Sequence, residues 1–330
     1  MQFDVAIVGA GPLGLLTALE VKRKGLSFIQ FDKGCIGRTI EWFPRGMQFY
    51  SSSRNLELAG FCLQSRGPKP TREEYLSYLR AFVRYHELEI HDYHAVERIE
   101  GAKGDFTLHT TNRGKASAHR ARAVVLATGS TEVPRRLGVP GEDLPHVSAF
   151  YRDPHPYFGQ RVVIVGARNS ACDAAIQLTH LGAMVTMVHR REEIQTRYLK
   201  YWIHPELTGM IRRGRIATRL GAKVTRIEPD FVEIESKSGE RGQIEADFVL
   251  KLIGYEPDRG LIEQLGLETE SDRRQPKVDP QTFESSVPGI HCAGTIVGGA
   301  QNPYRVFIEN ALHHGAAIAN YLVGASSSGS

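Results

Sequence analysis

No stretch of this 330-residue chain is apolar for the length a membrane span needs, and the N-terminus runs straight into a strand pattern with no charged-then-apolar leader. Neither a membrane protein nor an exported one is expected; a soluble, cytoplasmic chain is. Cysteine is scarce: Cys35, Cys62, Cys172 and Cys292 are the four, and no two lie within three residues of each other. That spacing excludes a CxxC redox pair and the ligand pattern of a zinc site, so no metal is expected. The net charge is only +4, with Lys and Arg interspersed among acids, which argues against a nucleic-acid partner. No Ser/His/Asp or paired-carboxylate arrangement stands out, and the 13 histidines are scattered. What is left is an ordinary globular composition, 41% hydrophobic and 24% charged, on a chain long enough for two domains with a core each.

What the sequence does contain is a nucleotide-binding pattern. Residues 3–8, FDVAIV, form a β-branched apolar run suited to a buried parallel strand. Gly9, Gly11 and Gly14 follow in GxGxxG spacing, with Pro12 and Leu13 inside the loop, and an amphipathic helix then runs to Gly25. The first glycine permits a tight turn, the second lets backbone approach a pyrophosphate, and the third lets helix pack on strand. The helix N-terminus adds free N–H groups and positive dipole. A second strand, LSFIQFDK, ends in Asp32 and Lys33, and Asp32 stands where a ribose hydroxyl acceptor belongs.

The pattern recurs over residues 160–193 in degenerate form: Gly166 holds the first position, Arg168 the second and Ala171 the third, with Asn169 and Ser170 between. Its second strand ends in His189, Arg190 and Arg191 rather than in an acid, and guanidinium groups there suit a 2′-phosphate, hence NADP(H) over NAD(H). Strands ending in glycine at 123–130 and 247–258 close the two folds. Residues 283–299 read as strand-like, 306–322 as a helix, and 324–330 as a disordered tail. The fold class is α/β: two Rossmann-like dinucleotide-binding domains, the first discontinuous (1–130 and 258–323) and the second (131–257) inserted into it.

At this point the chain resembles the flavoproteins similar to low-molecular-weight thioredoxin reductase, over nearly all of residues 1–323. The resemblance implies FAD on the first domain and NADPH on the inserted one. By motif, Gly9, Gly11 and Gly14 would hold the FAD pyrophosphate and Asp32 the adenosine ribose. Ala127, Thr128 and Gly129 would form the ATG turn, and Gly294 and Thr295 would lie by the flavin. Gly166 through Ser170, with His189, Arg190 and Arg191, would hold NADPH. Segments such as FYSSSRNLELAGF, GVPGEDLPHV, YWIHPEL and FIENALHHG resemble more specifically the bacillithiol-disulfide reductases of the YpdA type. That likeness places Ser51 and Ser52 near the flavin and implies a homodimer; Trp42 is either near the flavin too or a core aromatic.

The departures carry as much weight. AFYR stands where thioredoxin reductases carry CATC, which excludes thioredoxin reduction by that route, and Thr295 replaces the family's aspartate. Leu13 stands where many YpdA-type members have the cysteine that exchanges with substrate. Cys292, just before the flavin-contacting AGT, is the spare thiol candidate, but in a strand it is expected to be buried and structural. The reading is an FAD-dependent NADPH oxidoreductase whose acceptor is a low-molecular-weight disulfide such as bacillithiol disulfide. The alternatives are a ferredoxin or flavodoxin-NADP reductase serving a small redox protein, or a non-catalytic FAD/NADPH redox sensor. The N-terminal dipole of a 306–322 helix would face the flavin.

Overall fold

Alternating apolar strands and amphipathic helices resolve into two units in the computed structural model, which describes residues 1–270, 275–300 and 306–327. One unit comprises Met1–Glu41, Gly46–Val133 and the described part of Tyr255–Ser330; the other comprises Trp42–Arg45 and Pro134–Gly254.

In the first unit, strand β1 (Gln2–Val8) leads through the glycine loop into helix α1 (Pro12–Arg23) and back into strand β2 (Phe28–Phe31). Helix α2 (Arg72–Tyr85) begins at a capping box, Thr71 Oγ1 accepting from Glu74 N while the Glu74 carboxylate accepts from Thr71 N. Strands β3 (Ala95–Ala102), β4 (Asp105–Asn112) and β5 (Lys115–Leu126) complete a sheet of order β2-β1-β5-β4-β3. The last three residues of β5 also pair in parallel with a late strand, Ile290–Cys292. Val8 faces both Phe31 and Leu126, so three parallel strands end flush. The β1 run Val5–Val8 is buried, as a strand covered on both faces must be.

The second unit repeats the scheme. Strand β6 (Val147–Ser148) precedes β7 (Arg161–Val165), helix α3 (Asn169–Leu181), β8 (Met184–His189), helix α4 (Ile203–Arg212) and β9 (Ile216–Leu220). A three-stranded antiparallel sheet, β10 (Ala222–Ile227), β11 (Phe231–Ser236) and β12 (Arg241–Glu245), is followed by β13 (Phe248–Lys251). The main sheet is parallel throughout in the order β9-β8-β7-β13-β6. Helix α3 stops at Gly182, whose φ of +101 supplies the left-handed cap.

Four expectations need correction. The chain crosses between units at 133/134 and 254/255, three residues inside the expected boundaries, and Trp42–Arg45 groups with the second unit. There Trp42 packs edge-on against Phe150, 5.1 Å between centroids, as a half-buried aromatic. The strand-like 283–299 shrinks to Ile290–Cys292, because Phe283, Gly289 and Gly294 all take positive φ and break the extended run. The C-terminal helix spans His314–Ser327 and not 306–322. Residues 307–314 instead form successive tight turns, in which Asn310 Oδ1 accepts from Phe307 N and Ala311 and His314 donate three residues back. Residues 324–327, expected to be disordered, extend that helix, and 328–330 lie outside the described residues.

Candidate functional site

In each unit a glycine loop follows the carboxyl end of a parallel strand, the place an α/β sheet offers to a ligand. In the first, Gly9 turns at φ +112, and a Cβ there would stand 2.4 Å from Ala127 O at the end of β5. A Cβ on Gly14 would stand 2.1 Å from Gly9 O, so helix and strand touch backbone to backbone. Gly11 differs: a Cβ there would meet nothing within 4 Å. The open space therefore faces outward, and at the N-cap of α1 there is neither a side-chain cap nor an acid in the first turn. A helix start without a cap, with an open glycine before it, fits the pyrophosphate of a dinucleotide.

Asp32 sits directly after β2. Its two oxygens accept from Ala10 N (2.7 Å) and Gly34 N (2.8 Å), which aims the carboxylate along the glycine loop and leaves lone pairs over for ribose hydroxyls. Burial pushes its pKa up against those two bonds. Lys33 lies beside it but is committed to Glu132 (2.8 Å) and Asp258 (2.9 Å), and Glu132 also holds Arg38 at 2.7 Å. Burial opposes the charge of Lys33 and the two acidic partners more than restore it, so its pKa is raised.

Two further segments reach the same loop. Gly294, at φ +79, lies against the Leu13 side chain, where an added Cβ would be 2.8 Å from Leu13 Cβ. Thr295 Oγ1 lies 3.7 Å from where a Cβ on Gly129 would be. The GxGxxG loop, the Ala127-Thr128-Gly129 turn and the Gly294-Thr295 turn thus meet at one junction. Ser51 and Ser52 have other partners: Ser51 Oγ donates to Glu309 Oε1 at 2.5 Å, and Ser52 caps the short turn Ser53–Leu56 through Asn55 N.

In the second unit Gly166, at φ +131, repeats Gly9: a Cβ would stand 2.3 Å from Leu252 O. Arg168 occupies the N-cap of α3 without capping it, and its guanidinium lies over the Tyr198 ring at 4.1 Å. Arg197 covers the same ring at 4.8 Å. Asn169 secures this turn, its Oδ1 accepting from Lys200 N (2.9 Å) and its Nδ2 donating to Tyr198 O (3.3 Å). Ser170 is exposed beside it on the first turn. His189 ends β8; burial first, and then the charges of Arg191, Arg190 and Arg168, push its pKa down, so it is neutral among guanidiniums. Arg190 and Arg191 are exposed. Neither forms an ion pair among the described residues. Exposed guanidiniums grouped at a strand end suit a phosphate in charge and shape. Arg197 and Tyr198 were missed in the sequence because they come from a short turn, Thr196–Tyr198, with no periodicity to mark it.

The thiols are poorly placed for chemistry. Cys292 is fully buried, and burial pushes its thiol up to about 12, so it supplies no thiolate near neutral pH; the candidate nucleophile is a core residue. Cys172 is buried with the same upward push to about 12. Cys35 is half-buried, its pKa raised by burial and then by Glu41 and Asp32. Cys62 is exposed. Among the described residues no group of three or more His, Cys, Asp or Glu side chains is placed to hold a metal, and no helix is long and apolar enough to cross a membrane.

Comparison with known proteins gives this geometry a family. The model of the pyridine nucleotide-disulphide oxidoreductases matches residues 6–294. Bacilliredoxin reductase Bdr of Bacillus subtilis (strain 168) is 33% identical over 320 residues, 97% of each chain. The structure of bacillithiol disulfide reductase Bdr (YpdA) from Bacillus cereus matches with a TM-score of 0.94 at 32% identity, covering 98% of this chain and 100% of that one. A ferredoxin–NADP reductase of Thermus thermophilus is 30% identical over 311 residues, 89% of this chain and 84% of its own. With a thioredoxin reductase-like fold and two nucleotide crevices, the chain belongs to the pyridine nucleotide-disulphide oxidoreductase family and is an FAD- and NADPH-dependent oxidoreductase.

Proposed function

We propose that this chain passes electrons from NADPH through FAD to a low-molecular-weight disulfide, bacillithiol disulfide being the one for which its Bacillus cereus relative is named. The observation that carries the proposal is the near-complete likeness to that reductase, which leaves no part of the relative unmatched. FAD takes the crevice of the first unit: Gly11 and the start of α1 receive the pyrophosphate, and Asp32 the adenosine ribose. The junction of Leu13, Gly129, Gly294 and Thr295 faces the flavin. NADPH takes the second crevice, with Gly166 through Ser170 at its pyrophosphate and Arg190 and Arg191 around the 2′-phosphate. His189, uncharged, adds no positive charge there and can donate or accept a hydrogen bond. When bound, the two cofactors supply hydride transfer and hold the electrons that the acceptor takes. The same reading implies a homodimer in the cytoplasm, with neither nucleic acid nor membrane as partner.

Leu13 favours a second reading. A leucine cannot exchange with a disulfide, and Cys292 is buried and protonated, so no thiol at the junction receives electrons from the flavin. A one-electron carrier such as ferredoxin or flavodoxin needs no thiol. One anaerobic experiment separates the readings: reduce the holoprotein with stoichiometric NADPH, add bacillithiol disulfide, and follow the oxidised flavin band. Prompt recovery supports disulfide reduction. Recovery only after flavodoxin or ferredoxin is added refutes it in favour of electron transfer, and a single reduction with no acceptor effective points to a sensor.

A further inference from the structure

His314 opens the C-terminal helix and is 4% exposed. Its ring stacks on Phe283, with centroids 4.0 Å apart and planes 20° apart, and His313 meets it edge-on at 4.7 Å. The imidazole has a polar task as well. Its Nδ1 accepts a hydrogen bond from Gly294 N at 3.2 Å, and Gly294 N has no other acceptor among the described residues. A ring that accepts at Nδ1 is neutral and carries its proton on Nε2. Burial, and then the neighbouring His313, push its pKa down to about 4, so the acceptor persists through the physiological range.

The bond matters because of what lies on the other side of Gly294. The residue is held at φ +79 with the Leu13 side chain against its Cα, and Thr295 follows it to Gly129. Immediately after His314, Gly315 lets the helix approach α1 so closely that a Cβ would stand 2.8 Å from Thr17 Cα. The imidazole is therefore held between a helix docked on α1 and the turn that meets the glycine loop.

We propose that His314 is a positioning residue for the flavin: its hydrogen bond to Gly294 N holds the Gly294-Thr295 turn against Leu13 and Gly129, and so sets both flavin affinity and the flavin's electronic environment. The inference rests on the assignment of FAD to this crevice.

The test uses His314→Phe, which keeps an aromatic ring on Phe283 but has no acceptor, and His314→Asn, whose Oδ1 takes the place of Nδ1. Apoprotein is titrated with FAD by fluorescence, and the bound flavin's absorption spectrum and midpoint potential are recorded beside the urea midpoint of each apoprotein. For His314→Phe the expected result is FAD affinity weaker by about ten- to a hundredfold, with a changed flavin spectrum and potential. His314→Asn should restore all three. If His314→Phe does not fold, His314→Leu serves as the second variant without an acceptor. Wild-type affinity, spectrum and potential in the acceptor-less variant overturn the proposal. So does a loss of affinity that tracks apoprotein stability alone and is not rescued by Asn. Failure of the wild-type apoprotein to take up FAD would instead overturn the cofactor assignment itself.

Discussion

Gly11 and Gly14 are three residues apart in one motif, yet alanine should affect the stability of the fold at only one of them. At Gly14 the new methyl would stand 2.1 Å from Gly9 O and 3.2 Å from Gln30 Nε2, which itself donates to Gly9 O at 2.8 Å. Relief requires α1 to lift from β1 by about 1 Å if ordinary carbon contacts of about 3.5 Å are to be approached. Such overpacking costs about 1–3 kcal/mol, of which the better helix propensity of alanine returns up to about 1 kcal/mol. At Gly11 the backbone is an ordinary φ −74, ψ 178, and the methyl meets nothing within 4 Å. Alanine there is a poorer N-cap than glycine but lowers the entropy of the unfolded chain, two effects of roughly 0.5–1 kcal/mol that oppose each other. The apoprotein of Gly11→Ala should therefore unfold in urea within about 0.5 kcal/mol of wild type, while Gly14→Ala loses about 1–2 kcal/mol. FAD affinity should fall in both, and in Gly11→Ala by at least about tenfold, because the methyl would fill the space proposed for the pyrophosphate. Undiminished FAD affinity in Gly11→Ala would refute the reasoning, as would an apoprotein as destabilised as that of Gly14→Ala.

Three other outcomes follow from the sites. Arg190→Ala with Arg191→Ala should raise the KM for NADPH by about tenfold or more through lost charge-assisted bonds, and leave that for NADH nearly unchanged; equal effects on the two would sink the 2′-phosphate assignment. For His314 the folded pKa, about 4, lies below the usual 6.5 of the unfolded state. As pH falls the unfolded chain binds the proton first, so stability is lost between about pH 6.5 and 4, by about 3 kcal/mol from this group. Fully buried His291, shifted in the same direction chiefly by burial, adds to it. Apoprotein urea midpoints measured across that window should fall and His314→Asn should flatten the fall; a flat wild-type profile would contradict the assignment. Finally, Cys292→Ala should keep NADPH-dependent turnover, and Cys292 should resist thiol reagents until the chain unfolds; lost turnover in a folded variant would restore it as a nucleophile.

The glycine loops were legible because their spacing is mechanical: Gly9 and Gly166 each turn beneath a neighbouring carbonyl, and only glycine fits there. Asp32 was legible for a similar reason, its place being the end of the next strand. The start of the last helix was not, since apolar spacing over 306–322 suits a helix equally well, and the Asn310 side chain that takes up the Phe307 N–H is invisible to periodicity. The burial of Cys292 was legible, since its apolar run reads as a strand, but its pairing with β5 across a long sequence separation was not. Arg197 and Tyr198 reach the second crevice only through a turn held by the Asn169 side chain.

Leu13 shows how a site can keep its architecture while its chemistry changes. Its side chain is 6% exposed and covers the Cα of Gly294, so it serves as a packing piece of the junction. A cysteine at this position would be a smaller side chain, do less of that packing and carry a thiol instead. Leucine therefore strengthens the apolar contact, by about 1 kcal/mol per added methylene buried, and removes the nucleophile. The glycine loop, Asp32 and the Gly294-Thr295 turn are untouched by the exchange, so the site proposed for FAD survives it intact. What changes is the exit: on the proposed function, electrons would leave the flavin directly for the acceptor. An acceptor that reaches the flavin without a thiol relay is thus what leucine at position 13 leaves room for, and it is the property by which candidate acceptors should be sorted.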